Sequence, residues 1–391
     1  MLRKILPLTL SLLLTLPMLC AAQTSPAPVA PPAPEPAIDV KSPSAVLMDG
    51  STGQIIFAKN ENERRSPASL TKIMTLVIAF EAVRSGKAKL TDKAMTSPEA
   101  ASFGGTQVYA EPGEAFTLSE WLTAVAVGSA NDASVVIAEH IGGTTKRFAQ
   151  MMNEKAKELG MNDSDFKNSH GLDEDGHYTT VKDMAILGRY ASTMPELLKM
   201  TGTYQASFRD NKFQLTNVNK MVRFYTGCDG LKTGHTDTAK HCVVLTAKRG
   251  NSRFVAAVMG ADSSDARFMD ARRMLDYGFA NYSTVSLAKK GEGLGSAPVY
   301  GGTEETVPFA PREDLALLLG KGEEAGLEKR LEVVKDLRAP VKEGDVVAHV
   351  VVSKAGKEIA RKPLVAQEAS AKAPFWRLLP RILREITSLK W

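Results

Sequence analysis

Ser69-Leu70-Thr71-Lys72 sets an amine three positions after a hydroxyl, a separation at which two helix residues share one face. A serine hydroxyl is a weak nucleophile until a base takes its proton, and a lysine whose pKa falls well below about 10.4 can be that base. The S-x-x-K pattern alone is weak, because it recurs at Ser164–Lys167 and Ser286–Lys289. Placement separates the first copy. It follows Pro67-Ala68 and opens an apolar run, where a helix N-terminus would offer unpaired N–H groups and a positive dipole end. Two further motifs follow in order. Ser129-Ala130-Asn131 lies at a junction between two predicted helices, and Lys232-Thr233-Gly234 lies on a predicted strand. Each is the single copy of its pattern in the chain. Gly234 would let a substrate backbone lie close against the strand edge.

The elements that must position these residues are legible in the patterning. Ala45–Met48 and Gln54–Phe57 flank a D-G-S-T-G turn and predict a strand, turn, strand unit. Leu70, Ile73, Met74, Val77 and Ile78 recur at helix spacing as one buried stripe. Thr117-Leu118-Ser119-Glu120 is a capping box opening a helix through Val127. Further helices are expected over 132–140, at Phe148–Leu159 before Gly160, and over 265–282. Residues 162–180 form a long polar loop, and 231–233, 242–247 and 254–259 read as strands. The expected fold class is α/β (α+β), with helices flanking a central antiparallel sheet over residues 41–285. A small β-rich domain is expected over 290–366, with strands at 304–309, 314–319, 331–336 and 346–352, and residues 367–373 read as a linker.

Length and composition narrow the function. The 391 residues are 43% apolar and 24% charged, ordinary globular values that allow two domains. A formal charge of +5 is too small for a nucleic-acid footprint, so no nucleic-acid partner is expected. The three cysteines lack CxxC spacing and the six histidines contain no HExxH pair, so neither a metal nor a cofactor is expected. With no histidine motif, Lys72 is the candidate base, and the sequence alone does not settle which group takes the proton.

Residues 1–22 have a basic start, an apolar run and a small-residue site at Cys20-Ala21-Ala22, the pattern of an export leader. Residues 23–40 follow as a Pro/Ala-rich tether. Loss of Arg3 and Lys4 with the leader lowers the charge to +3 and leaves Cys228 and Cys242. A turn near Asp237-Thr238 would set Cys242 opposite residue 233, too far from Cys228 for a disulfide, so two free, mostly buried thiols are expected. In residues 372–391, Phe375, Trp376, Leu378, Leu379, Ile382, Leu383, Ile386 and Leu389 share one helical face. Five basic residues and one acid accompany them, which suits a helix lying on an anionic membrane surface.

The ordered trio matches the pattern of penicillin-binding proteins and class A β-lactamases. The chain resembles the D-alanyl-D-alanine carboxypeptidases, low-molecular-mass penicillin-binding proteins that trim peptidoglycan. Ala45–Thr75, Ser169-His170-Gly171-Leu172-Asp173 and Asp229–Asp237 carry the resemblance, and Ala339–Asp345 is similar to the family's C-terminal β domain. Lys240 departs from it, where the family often has glycine, as does Cys228 before Asp229-Gly230. The resemblance implies a β-lactamase/transpeptidase-like domain and acyl transfer from the terminal D-Ala-D-Ala of stem pentapeptides. It implies Ser69 as nucleophile, Lys72 as base and Ser129 as proton relay. Asn131 would hold substrate backbone and orient Lys72, and the N–H groups of Ser69 and His235 would form the oxyanion hole. Lys232, Thr233 and Arg267 would take the substrate carboxylate, with Gly234 at the strand edge. His170 and Asp173 are expected chiefly to shape a turn. Implied partners are the peptidoglycan stem peptide, β-lactam antibiotics as covalent inhibitors, and the inner-membrane surface; the implied location is the periplasmic side of the cytoplasmic membrane. Two rivals share the chemistry. A class A β-lactamase needs a loop glutamate, and Glu174 is the single one between 162 and 180, without Glu-x-x-Leu-Asn context. A D,D-endopeptidase would act on cross-links instead. A non-catalytic peptidoglycan scaffold is disfavoured by the intact motif set.

Overall fold

Ala45-Val46-Leu47-Met48 is a short, continuous apolar run, the pattern of a strand covered on both faces. In the computed structural model, which describes residues 38–380, this run is the buried strand Ser44–Asp49 inside a five-stranded antiparallel sheet. The strand order is Ile55–Lys59, Ser44–Asp49, Ser252–Ala261, Lys240–Arg249, Cys228–Thr236. The strand bearing K-T-G is therefore an edge strand, with Lys232 opposite Val244, Thr233 opposite Val243 and Gly234 opposite Cys242. One face of the sheet packs on the Ser264–Asn281 helix. The other packs on a larger core formed by the helices between the first hairpin and the last three strands.

At the centre of that core lies Lys72–Arg84. It is buried on nearly all sides, Leu76, Ala79 and Phe80 included, so the expected single stripe is a helix enclosed by the sheet and by other helices. Its start also differs. Ala68–Thr71 is a 3-10 turn, entered through Ala68 at φ 48, and the α-helix proper begins at Lys72. The capping box holds as expected: Thr117 and Glu120 bond each other's backbone N–H and open Leu118–Ala126. Helices Asn131–Gly142 and Thr145–Glu158 follow. Residues 162–180 contain no helix or strand and are pinned by bridges Asp165–Tyr178 and Arg65–Thr179. Between 181 and 224 the patterning leaves several elements unassigned. They are the helices Val181–Ala191 and Pro195–Thr201, the hairpin Gln205–Phe208 with Phe213–Thr216, and the turn Met221–Phe224.

Strand Tyr282–Ala288 pairs with Leu315–Gly320, and a second five-stranded antiparallel sheet gathers Gly295–Pro298, Thr306–Ala310, Lys357–Ala366, Val346–Lys354 and Leu327–Val333 around its own core. The junction to the first sheet is polar and buried: Thr284 donates its hydroxyl to Asp49 at 2.8 Å and its N–H to Ser252 at 2.9 Å. Residues 367–373 are not a linker. Ser370 is fully buried and exchanges backbone bonds with Val341 at 2.9 Å, so this segment is stitched to the β-rich part. Cys228 and Cys242 are free thiols; Cys228 pairs with Ala247 across the ladder and Cys242 with Gly234, so neither faces the other. Cys242 is fully buried and Cys228 partly so. Lys240 occupies the hairpin turn at φ 56, a conformation that explains why glycine suits the position. Among the described residues no helix is long and apolar enough to cross a membrane. The leader, all of the tether before residue 38, and residues 381–391 lie outside the described residues.

Candidate active site

Three segments distant in sequence meet at Ser69: the 3-10 turn that carries it, the S-x-N junction between two helices, and the K-T-G edge strand. The turn arises because Pro67 cannot donate a backbone bond and Ala68 takes a left-handed conformation, which redirects the chain just before the nucleophile. Ser129 sits at φ 60, also left-handed for a non-glycine residue, at the end of the Leu118–Ala126 helix. Its N–H donates to Val125 at 3.2 Å, and among the described residues its hydroxyl has no hydrogen-bond partner. Such strain costs about 1–3 kcal/mol and persists where the surroundings over-determine it.

Lys72 is completely buried. Its amine lies 3.0 Å from Ser69 Oγ, 2.7 Å from Asn131 Oδ1 and 2.5 Å from the His170 carbonyl oxygen. Burial pushes its pKa well below the ordinary lysine value and the Lys232 cation pushes the same way, while Asp132 opposes them. A neutral amine has two N–H donors and one lone pair. The two carbonyl oxygens take both donors, so the lone pair is left for the Ser69 hydroxyl. Lys232 is likewise buried, and burial together with Arg267 lowers its pKa to about 7. Among the described residues its ammonium has no hydrogen-bond partner, so its donors are open to a ligand. Thr233 is buried beside it, and His235 is exposed with its ring 4.2 Å from that of His241.

Gly234 and Gly171 are close-approach positions. A Cβ on Gly234 would stand 3.0 Å from the Pro67 carbonyl and 3.1 Å from the Ser69 nitrogen. A Cβ on Gly171, at φ 88, would stand 1.9 Å from the Ala68 carbonyl. The missing side chains let the edge strand and the 162–180 loop close on the nucleophile from two sides. Arg267, near the start of the last helix, is buried rather than on a surface. Its NH1 donates to the Gly234 carbonyl at 2.8 Å and the Cys242 carbonyl at 3.2 Å, while its buried Nε has no partner among the described residues.

Residues outside the three motifs complete the site. Asp132 is fully buried and accepts N–H bonds from Val108 and Ala110 at 3.0–3.2 Å. Asn131 donates its amide to Gly104 at 2.7 Å and its backbone N–H to Thr106 at 2.7 Å. Residues 104–110 are thereby fastened beside the S-x-N junction. Arg209, at the tip of the 205–216 hairpin, donates to the Val108 and Tyr109 carbonyls at 2.6 and 2.7 Å. His177 accepts from the Lys167 N–H at Nδ1, which leaves Nε2–H to donate to Thr71 Oγ1 at 2.9 Å. His170 accepts the Leu172 N–H at Nδ1, so its side chain makes the expected turn while its carbonyl serves Lys72. Asp173 does more than turn the chain: one carboxylate oxygen accepts from Ser66 Oγ at 2.6 Å and Thr236 Oγ1 at 3.1 Å. A cavity of about 730 Å³ behind this loop is walled by Phe103, His170 and Leu172 but by none of the motif side chains, so it neighbours the reactive cleft. Among the described residues no cluster of His, Cys, Asp or Glu could hold a metal ion.

This geometry can perform acyl transfer: a nucleophile with a depressed amine as base, backbone N–H groups beside it, and one open cation, Lys232, for an anionic substrate end. Comparison with known proteins gives a concordant picture. A family description, D-alanyl-D-alanine carboxypeptidase, matches residues 29–263, and a second, Penicillin-binding protein 5, C-terminal domain, matches residues 282–372. The D-alanyl-D-alanine carboxypeptidase DacF of Bacillus subtilis is 40% identical over 351 residues, covering 89% of this chain and 90% of that one. The crystal structure of penicillin binding protein 5 from Haemophilus influenzae is similar at a TM-score of 0.74 and 30% identity, covering 88% of this chain and 99% of that one. The ampicillin-bound structure of Penicillin-Binding Protein D2 from Listeria monocytogenes is similar at a TM-score of 0.57 and 29% identity, covering 62% of this chain and all of that one.

Proposed function

The chain belongs to the D-alanyl-D-alanine carboxypeptidase family, and from that premise we propose that it removes the terminal D-alanine of peptidoglycan stem pentapeptides through an acyl-enzyme on Ser69. The observation that carries this reading is the buried amine of Lys72, held by Asn131 and the His170 carbonyl with Ser69 Oγ 3.0 Å away. Lys72 takes the Ser69 proton as Oγ attacks the carbonyl between the two D-alanines. The N–H groups of Ser69 and His235 hold the oxygen that becomes negative. Ser129 passes a proton to the departing D-alanine amine, and the bond to it breaks. Water then attacks the acyl-serine, its proton returns to Ser69 Oγ, and the shortened peptide leaves. Lys232 and Thr233 hold the terminal carboxylate. Arg267 sits behind them and steadies the Gly234 and Cys242 carbonyls. A β-lactam carbonyl enters the same route and stops at the acyl-enzyme.

We assign residues 41–285 to the catalytic domain and 290–366 to the β-rich domain. Residues 372–391 would hold the protein to the membrane on the periplasmic side. In support, the helix beginning at Phe375 presents Phe375 at 71% and Trp376 at 74% exposure rather than docking them on the protein.

The test compares three substrates: a model pentapeptide ending in D-Ala-D-Ala, a cross-linked stem dimer, and benzylpenicillin. Free D-alanine from the pentapeptide with a long-lived penicilloyl adduct is expected. Cleavage of the dimer alone would indicate an endopeptidase, and rapid penicillin turnover a β-lactamase.

A further inference from the structure

The two N–H groups assigned to the oxyanion hole stand on separate segments. Ser69 belongs to the 3-10 turn Ala68–Thr71, and His235 to the edge strand Cys228–Thr236. That strand is paired on one side only, to Lys240–Arg249. Among the described residues no backbone hydrogen bond joins 66–70 to 234–236. The ladder therefore leaves the separation of the two N–H groups unset. Gly234 and Gly171 let the segments approach, but close packing limits how near they come, not how far apart they drift. Arg267 ties Gly234 to Cys242 within the sheet and so adds nothing across the cleft.

Among the described residues one side chain is hydrogen-bonded to both sides. Asp173 Oδ1 accepts the Ser66 hydroxyl at 2.6 Å and the Thr236 hydroxyl at 3.1 Å. Ser66 leads through Pro67 and Ala68 into the turn that bears Ser69, and Thr236 directly follows His235. Thr236 Oγ1 also accepts the Ala239 N–H at 3.0 Å, which leaves its proton for Asp173.

Asp173 is itself held in place. Asn168 accepts the Gly171 N–H at 2.7 Å and donates its amide to the Leu172 carbonyl at 3.1 Å and the Glu174 carboxylate at 3.0 Å. His170 Nδ1 accepts the Leu172 N–H at 3.1 Å. The loop is thus braced on both sides of residue 173. Asp173 is exposed, so water would bond either hydroxyl about as well, and the two bonds add little net stability. What water cannot supply is a fixed span. One braced oxygen that accepts both donors holds them at a set separation. Resting on the acyl-enzyme reading, we propose that Asp173 is a positioning residue that sets the separation of the Ser69 and His235 N–H groups by tying Ser66 to Thr236 across the cleft.

The test measures penicillin acylation by stopped flow, with binding and bond formation separated, and D-alanine release from a model pentapeptide. Wild type is compared with Asp173→Ala, Asp173→Asn and the double variant Ser66→Ala/Asp173→Ala. Affinity for a peptide boronate is measured beside them, because its adduct on Ser69 mimics the tetrahedral intermediate and sets an oxygen between the two N–H groups. In Asp173→Ala the acylation rate should fall about tenfold and boronate affinity by a similar factor, with KM for the pentapeptide and the initial Kd for penicillin held within about threefold. Asp173→Asn, whose amide oxygen can accept the same two bonds, should recover most of the rate. The double variant should be no slower than Asp173→Ala, because Ser66 acts through the same oxygen. An Asp173→Ala enzyme that acylates as wild type does would overturn the tie. So would slower acylation with boronate affinity kept, a loss confined to KM, or an Asp173→Asn enzyme as slow as Asp173→Ala. Wild type that forms the penicilloyl adduct but releases no D-alanine would overturn the carboxypeptidase reading alone, and the acylation series would still decide the tie.

Discussion

Gly234 approaches the nucleophile so closely that a Cβ there would stand 3.1 Å from the Ser69 nitrogen. The same carbon would stand 3.0 Å from the Pro67 carbonyl, so backbone on both sides would have to yield. Gly234→Ala should therefore part the edge strand from the 3-10 turn and spoil the N–H pair of Ser69 and His235. Loss of one such donor costs about 10²–10³ in rate. The expected result is a fall in penicillin acylation of about tenfold or more, with substrate KM moved far less. Stopped-flow acylation beside a thermal melt checks it; unchanged acylation would remove the oxyanion role.

Catalysis should show a bell-shaped pH dependence of kcat/KM. Lys72 must be neutral to accept a proton, and burial with the Lys232 cation lowers its pKa, so the rate rises as Lys72 deprotonates. Lys232 must be charged to hold a carboxylate, and burial beside Arg267 brings it to about 7, so the rate falls as pH climbs past that value. Amidating the substrate carboxylate should flatten the descending limb and weaken transition-state binding by about 2–5 kcal/mol. Rates measured from pH 5 to 10 on acid and amide decide the matter.

Acid should destabilise the fold through two histidines. Burial lowers His170 to about 3 and His177 to about 4, against 6.5 unfolded. Between those values the unfolded chain binds more protons, so stability is complete above pH 6.5 and is lost as pH falls through the folded values. For His177 alone the loss approaches roughly 3 kcal/mol. The melting temperature should drop from pH 6.5 toward pH 4, and His177→Gln should make that drop shallower while lowering stability at neutral pH. A variant that matches the wild-type slope would contradict this.

Much of the site was legible because its residues sit in short motifs whose order and spacing match a known chemistry. Ser69, Lys72, Ser129, Asn131 and Lys232 have distinctive local sequence, and the capping box at Thr117 announces its helix. What escaped has no local signature. Asp132 holds residues 108 and 110 through bonds spanning more than twenty positions, and Asp173 joins Ser66 to Thr236 across the cleft. The His170 contribution to Lys72 is a carbonyl, which every residue owns. The 205–216 hairpin is short and half polar, so alternation alone did not reveal it. Ser370 looked like linker because its pairing to Val341 depends on the tertiary fold.

Deleting residues 372–391 should release a soluble, active enzyme from membranes. The segment carries +4 within twenty residues, and each basic residue near an anionic surface adds about 1 kcal/mol. High salt alone should free the full-length protein only in part, because the rings of Phe375 and Trp376 contribute an unscreened apolar share. Sedimentation with anionic vesicles reads this; a truncated chain that still sediments would place the anchor elsewhere.

The most direct measurement is labelling with a fluorescent penicillin. Ser69 is the S-x-x-K serine whose lysine is buried within 3.0 Å of it. Ser164 instead spends its hydroxyl on Asp183 at 2.7 Å, and Ser286 lies exposed on a strand of the Tyr282–Ala288 pair. Wild type, Ser164→Ala and Ser286→Ala should become covalently labelled, while Ser69→Ala should not, and Lys72→Ala should label at a small fraction of the wild-type rate. A covalent adduct that survives Ser69→Ala would contradict the account.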